Sequence, residues 1–327
     1  MQVSGGKEMR RIAVLTSGGD APGMNAAIRA VVRKGLNAGL CIIGVRRGYA
    51  GLVADDMVGL DAGSVADIIH RGGTVLRTAR SQEFMTDDGF NKALAALSAR
   101  NIDGLVVIGG DGSFRGAQKL YEHGVLTVGI PGTIDNDIPA FEETIGFDTA
   151  VNTAVQAIDR IRDTATSHER TFIIEVMGRG AGHIALEAGL AAGAESIIVP
   201  EERLEWQEVC DRIKRGHLRG KLHTIIVVCE GAGKGFEVGD FVAGCTGFDT
   251  RVTVLGHVQR GGTPTARDRV IASKLGALAV DLLVAGQGGV VVGIKNGQAI
   301  SLPINEALRS VPSFDRDAYK LAAILAQ

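Results

Sequence analysis

Apolar, mostly β-branched runs alternate along this chain with segments whose apolar positions recur every three or four residues. The first pattern predicts buried strands and the second amphipathic helices. Strands are expected at 12–15, Cys41–Val45, 104–108, 127–130, 171–176, 196–199, 224–229, 251–255 and 289–294. Helices are expected at 25–37, 88–99, 114–122, 149–164, 183–191, 205–218, 266–284 and 316–326. A further short helix is expected near 65–70, inside an otherwise long connection to Arg80. The strands are apolar throughout rather than alternating, so they belong in mostly parallel sheets with helices on both faces. The predicted class is α/β, with two doubly wound domains. Ligands in such sheets gather beyond the strands' C-terminal ends, and every glycine-rich loop of this chain falls at such an end.

At 327 residues, a prior of about 150 residues per domain gives two domains. The net charge of −2 argues against general binding of nucleic acid or membrane surfaces. No apolar run approaches the ~18 residues of a membrane span. Aromatic residues are 4% of the chain while glycines number 46, which predicts aliphatic cores and tight loops. The four cysteines lack CxxC spacing; Cys41 and Cys229 sit in strand-like runs, so buried free thiols in a reducing cytoplasm are expected. Residues 1–8 lack the apolar stretch of a signal peptide and are expected to form an unstructured lead-in.

Two loops carry the most chemistry. Loop 109–113 (GGDGS) and loop 131–137 (PGTIDND) each follow an apolar run and bring Asp111, Asp135 and Asp137 to strand ends. Glycine N–H groups at Gly110 and Gly112 are open to phosphate oxygens, because no side chain blocks the approach. Carboxylates repel phosphate, so they call for a bridging divalent cation or a hydroxyl proton to accept. Glycines with clustered aspartates therefore suggest metal-assisted phosphoryl transfer, with the three carboxylates and a bound cation expected to converge on one reacting phosphorus. Each aspartate alone is also what an ordinary turn would contain. The first glycine-rich loop, 16–25 (TSGGDAPGMN), is a further anion site at a helix N-terminus. It lacks the P-loop lysine, since Met24 stands in that place. A third loop, 177–183 (MGRGAGH), admits a dinucleotide fingerprint at Gly180, Gly182 and Ala185 with Glu201 downstream; that would make the chain an NAD-dependent dehydrogenase. Arg170, Arg179, Arg251 and Arg260, with His257, form a guanidinium-rich set suited to a terminal phosphate.

The segments LTSGGDAPGMNAAIR, GLVVIGGDGS, PGTIDNDI, ATSHERTFIIEVMGR and RVTVLGHVQRGG, in this order, resemble the bacterial-type ATP-dependent 6-phosphofructokinases over about Arg10 to Gln327. The resemblance implies transfer of the γ-phosphoryl group of MgATP to the 1-hydroxyl of fructose 6-phosphate, in glycolysis. It implies a cytoplasmic homotetramer with shared active and effector sites. One domain would hold 1–146 and 259–309 and bind ATP; the other would hold 147–258 and 310–327 and bind the sugar phosphate. By the same resemblance, Asp135 accepts the sugar hydroxyl proton, with Thr133, Asp137 and Arg179 as catalytic partners and Asp111 as the Mg2+ ligand. Gly19, Arg80, Ser81, Gly110, Asp111, Gly112 and Ser113 would bind ATP. Thr133, Ile134, Asp135, Met177, Gly178, Arg179, Glu230, His257, Val258, Gln259 and Arg260 would contact the sugar phosphate. Arg170 and Arg251 would reach it from a neighbouring subunit. An effector site for ADP or phosphoenolpyruvate would use Arg29, Arg33, Asp67, Arg162, Gly193, Glu195, Arg219, Lys221 and His223. Ala62 and Leu222 depart from the family there, each removing a cation, and Gly180 stands where histidine is usual. Pyrophosphate-dependent relatives are the alternative, but they usually carry GGDD and PKTIDND. Gly112 and Gly132 here favour ATP.

Overall fold

The computed structural model describes residues 9–309 and 314–326; the expected lead-in at 1–8 and the expected domain boundary at 309–310 lie outside or at the edge of that range. In chain order the first elements are β1 (Arg11–Thr16), α1 (Met24–Asn37), β2 (Cys41–Val45), α2 (Gly48–Val53), β3 (Met57–Leu60), α3 (Asp87–Ala99), β4 (Gly104–Gly109), α4 (Asp111–Glu122) and β5 (Leu126–Pro131). Then come α5 (Phe147–His168), β6 (Thr171–Val176), α6 (His183–Ala191), β7 (Ser196–Ile198), α7 (Trp206–Leu218), β8 (Thr224–Cys229), α8 (Gly235–Thr246) and β9 (Thr250–Val254). The chain ends with α9 (Ala266–Val284), β10 (Val290–Lys295), β11 (Gln298–Pro303), α10 (Ile304–Arg309) and α11 (Arg316–Leu325). Two units result. The first holds the chain up to Thr133, then Asp137–Gly146 and the segment from Arg260 through α10; the second holds Ile134–Asn136, Phe147–Gln259 and α11.

In the first unit seven strands are ordered β11-β10-β5-β4-β1-β2-β3. The five inner strands run parallel, as their uniform burial requires, and only the edge strands β3 and β11 are antiparallel. From the β1–β4 pair the chain works outward in opposite directions, so the loops after β1 and β4 leave from the point where strand order reverses. Ser17 N–H donates to Ile108 O at 2.9 Å and carries that pairing past the strand ends. The second unit has four strands, all parallel, in the order β7-β8-β6-β9.

Several elements differ from the sequence reading. No helix forms at 65–70: Val65 and Ile68 are buried at helical spacing, but Asp67 adopts φ 53° and the segment closes into turns. The edge strand β3 and the glycine-containing helices α2 and α8 were read as connections. In α8, Gly239 lets the helix approach β9, because a Cβ there would lie 2.6 Å from Val252 Cγ2. The first unit's core is not purely aliphatic. Phe114 lies flat on Gly129, Phe141 on Gly293, and Tyr49 stacks on Phe84 with ring centroids 4.2 Å apart. Cys41 is exposed, contrary to expectation, because it opens β2 with its side chain outward; Cys210 and Cys229 are buried.

Candidate active site

In the first unit, the β1–α1 loop turns through left-handed Gly18 (φ 86°) and Gly23 (φ 104°), the latter capping α1. Asn25, wholly buried, braces the loop opposite. Its Nδ2 donates to Arg71 O at 2.9 Å and Gly72 O at 3.2 Å, while its Oδ1 accepts from Val75 N at 2.8 Å. Thr78 Oγ1 donates to Gly18 O at 2.8 Å, tying the approach to Arg80 onto the glycine turn. Arg80 itself is exposed. Ser81 Oγ accepts from Phe84 N at 3.1 Å and caps the short 3₁₀ turn Glu83–Met85. Arg260 packs on the β1–α1 loop, donating to Asp20 O at 3.2 Å, and a Cβ at Gly19 would collide with its guanidinium.

After β4, Gly110 caps α4 and leaves the N–H groups at 111 and 112 as outward donors, whereas Ser113 N–H donates to Gly110 O at 3.0 Å. Gly112 faces open space, with no atom within 4 Å of a built Cβ. Gly132 differs: its Cβ would lie 3.0 Å from Ile108 Cγ2 and 3.1 Å from Met24 Cε. Asp111 pairs with Arg115 one turn on, Oδ1 being 2.9 Å from Nε. Arg115 Nη2 donates to Oδ2 at 3.2 Å, while Oδ1 is a buried oxygen that accepts no hydrogen bond. Such an oxygen at a helix N-terminus beside phosphate-binding N–H groups fits a magnesium ligand. Among the described residues, no three His, Cys, Asp or Glu side chains gather to hold a metal. Magnesium typically needs only one or two carboxylates when phosphates complete its shell.

In the second unit, Asp135 is 2% exposed and Ile134 wholly buried. Asp135 Oδ2 lies 3.5 Å from Arg179 Nε, whose side chain is half exposed. The loop after β6 delivers Arg179 through Met177, nine-tenths buried, and Gly178 (φ 141°); a Cβ on Gly178 would strike Ala181 O. Arg179 also adopts a left-handed φ of 52°, and its N–H donates to Glu230 Oε1 at 3.1 Å. Gly231 lies so close to Arg179 O that no side chain fits there. Asp135 and Glu230 therefore hold Arg179 from two sides. The buried Cys229 thiol lies beneath this loop, 3.6 Å from Ala181 O. Burial pushes it up to about 11, and Glu201, Glu230 and Asp135 push the same way. Cys229, Gly231 and the Asn25 brace were not picked out in the sequence, since none carries reactive spacing. The 3₁₀ turn Gly256–Arg260 exposes His257 and Val258 and buries Gln259, which donates to Gly256 O at 3.1 Å. Thr133, back in the first unit, accepts from Thr144 Oγ1 at 2.6 Å through its carbonyl.

Arg170 and Arg251 stand at the other end of the second sheet. Arg170 precedes β6 and Arg251 faces Phe172 across the β6–β9 pair. Arg179 leaves the C-terminal end of β6, which is six residues long, so about 20 Å separates the two ends. Both arginines grip Asp249, at 2.6 Å from Arg170 Nε and 3.1 Å from Arg251 Nη2. The hydrogen bond from Arg170, with the charge of Arg251, holds that carboxyl below its ordinary range. Of the expected effector residues, Arg162, Gly193, Glu195, Arg219, Lys221 and His223 belong to the second unit. Arg162 donates to Ala192 O, and Lys221 pairs with Glu195 at 2.5 Å. Arg29, Arg33 and Asp67 belong to the first unit, Arg33 and Asp67 exposed.

The dinucleotide fingerprint fails on topology and on its acid. The strands flanking it, β6 and β7, are not neighbours, since β8 lies between them. Glu201 is taken up by the loop itself, accepting from Gly182 N at 2.8 Å.

The phosphofructokinase family model matches residues 11–283. An ATP-dependent 6-phosphofructokinase from Halalkalibacterium halodurans is 59% identical over 314 residues, 96% of this chain and 98% of that protein. The solved phosphofructokinase of Saccharomyces cerevisiae superposes with a TM-score of 0.87 at 36% identity, over 97% of this chain and 48% of that one. A pyrophosphate-dependent phosphofructokinase from Marinobacter aquaeolei shares the fold, with a TM-score of 0.83 at 21% identity. The chain belongs to the phosphofructokinase family.

Proposed function

We propose that this chain is a phosphotransferase that moves the γ-phosphoryl group of MgATP to the 1-hydroxyl of fructose 6-phosphate, yielding fructose 1,6-bisphosphate and ADP. The observation that carries the reading is Asp135, a carboxylate almost wholly withdrawn from water yet held beside the half-exposed Arg179. A buried carboxylate at a strand end is poised to take a hydroxyl proton, and the adjacent guanidinium meets the charge that gathers on the migrating group. The N–H groups of the loops after β1 and β4 receive the nucleotide's phosphates. Asp111 would hold the magnesium ion, which supplies charge neutralisation when bound. Glu230 and Asp135 keep Arg179 in place for the sugar phosphate, and the exposed His257 of the 3₁₀ turn is assigned to the same ligand. ATP is favoured over pyrophosphate because Gly112 and Gly132 supply neither the carboxylate nor the lysine that pyrophosphate-dependent relatives usually carry.

The assembly belongs to the same reading: a cytoplasmic homotetramer in which Arg170 and Arg251 serve the site of a neighbouring subunit. Their place at the far end of β6 and β9 supports this, because they stand about 20 Å along the sheet from Arg179. The second-unit cluster around Arg162, Glu195 and Lys221 is assigned to an ADP or phosphoenolpyruvate effector. The exposed Leu222 stands where a cation is common. Asp135→Ser tests the catalytic role. Steady-state assays should show kcat lowered by ~10²–10⁴-fold, with fructose 6-phosphate binding retained by calorimetry. A variant turning over at near-normal kcat would remove Asp135 from that role.

A further inference from the structure

The four cysteines lie far apart in sequence, but folding brings two together. Cys210 is on α7 and Cys245 near the end of α8, and both pack into one apolar cluster of the second unit. On α7, Gln207, Cys210 and Lys214 follow at spacings of three and four, so they share one helix face. Cys245 lies against that face. Its thiol donates to Gln207 Oε1 at 3.5 Å, and Lys214 Nζ donates to its Sγ at 3.9 Å. Cys210, between those two partners on the same helix face, is wholly buried. Burial first, then Cys245, pushes the Cys210 thiol up to about 12, so it stays neutral under ordinary conditions. Cys245 is only partly buried and can be reached from solvent. Exposure thus separates a thiol open to a solvent oxidant from a buried neighbour able to resolve it.

We infer that Cys210 and Cys245 are a redox modification site, closing into a reversible disulfide between α7 and α8 when a hydroperoxide oxidises Cys245. In the first step the Cys245 sulfur attacks the peroxide: an S–O bond forms, the O–O bond breaks, and the leaving oxygen takes up the thiol proton and departs as water beside the Lys214 ammonium. In the second step the Cys210 sulfur attacks the Cys245 sulfenic acid, its proton leaves, and the sulfenic oxygen departs as water. In sum, two thiols and one hydrogen peroxide give one disulfide and two waters. The bond joins the helix that runs into Arg219 and Lys221 to the one that runs into Asp249 and Arg251. Both helices lead into the N-terminal end of the parallel second sheet, where Arg170 and Arg251 grip Asp249, so the bond ties together two approaches to that end. The chemistry stands whether or not the kinase reading does.

The test treats the full chain with a small excess of hydrogen peroxide, alkylates it in denaturant, and maps unreduced peptides by mass. The expected product is a Cys210–Cys245 peptide pair about 2 Da lighter than its two thiol peptides, lost after dithiothreitol. In a Cys210→Ser variant, dimedone should label Cys245, because the sulfenic acid has lost its resolving partner. Cys245→Ser should abolish the cross-link, and its retained circular dichroism would show that the fold survives. Overturning results are Cys210 alkylated beside a sulfinic Cys245, both cysteines alkylated after treatment, or Cys245 linked instead to Cys41 or Cys229.

Discussion

Cys229 shows how a single side chain can serve a charged site by staying neutral. It lies under the Arg179 loop with Glu201, Glu230 and Asp135 nearby, and burial raises its thiol to about 11. Below that pH it carries no charge, so it adds nothing to repel a phosphate at Arg179. The sign gives a testable pH dependence: the thiolate appears only as pH rises toward the raised value. Iodoacetamide at about pH 8 should label the exposed Cys41 well ahead of Cys229, and Cys229 labelling should quicken as pH approaches 11. Equal labelling of the two at the lower pH would contradict the burial argument. Sequence alone could not mark Cys229, because an apolar strand with a buried thiol looks like any core strand. Asp111, Asp135 and Arg179 were legible for the opposite reason. Charges beside glycines at strand ends cost too much to be packing residues.

At the scale of elements, the inner parallel strands and their long helices were legible because burial on both faces leaves continuous apolar runs. The edges were not. β3 and β11 are half-exposed and antiparallel, and their mixed residues read as connection. α8 hid behind Gly235, Gly239 and Gly244, glycines that weaken helix propensity, the first two of which let α8 sit close on β9. At 65–70 the error ran the other way, where helical spacing of two buried residues was overruled by left-handed Asp67. The long connection after β3 proved ordered through Asn25, which three hydrogen bonds join to Arg71, Gly72 and Val75. Asn25→Ala should cost about 1–3 kcal/mol in a urea melt. It should also raise the KM for ATP severalfold, because the braced segment leads to Thr78 and Arg80. Unchanged stability and unchanged KM would show the brace to be idle.

At the scale of the whole molecule, the proposed tetramer has Arg170 and Arg251 serving a neighbour's site, and their place at the far end of the second sheet from Arg179 supports that reading. Arg251→Ser subunits lack what they give a neighbour, whereas Asp135→Ser subunits lack what they use themselves. Each homogeneous variant should be nearly inactive. Mixed tetramers reassembled from the two should regain a substantial fraction of activity, since some sites then combine an intact Asp135 with an intact Arg251. No recovery on mixing would place both residues in one subunit's site. The account as a whole rests on donor and acceptor, and one assay addresses both: purified protein with fructose 6-phosphate, supplied with MgATP or with magnesium pyrophosphate, followed by release of fructose 1,6-bisphosphate. Turnover with MgATP and none above background with pyrophosphate is the predicted result. Turnover with pyrophosphate alone, or with neither donor, would contradict it.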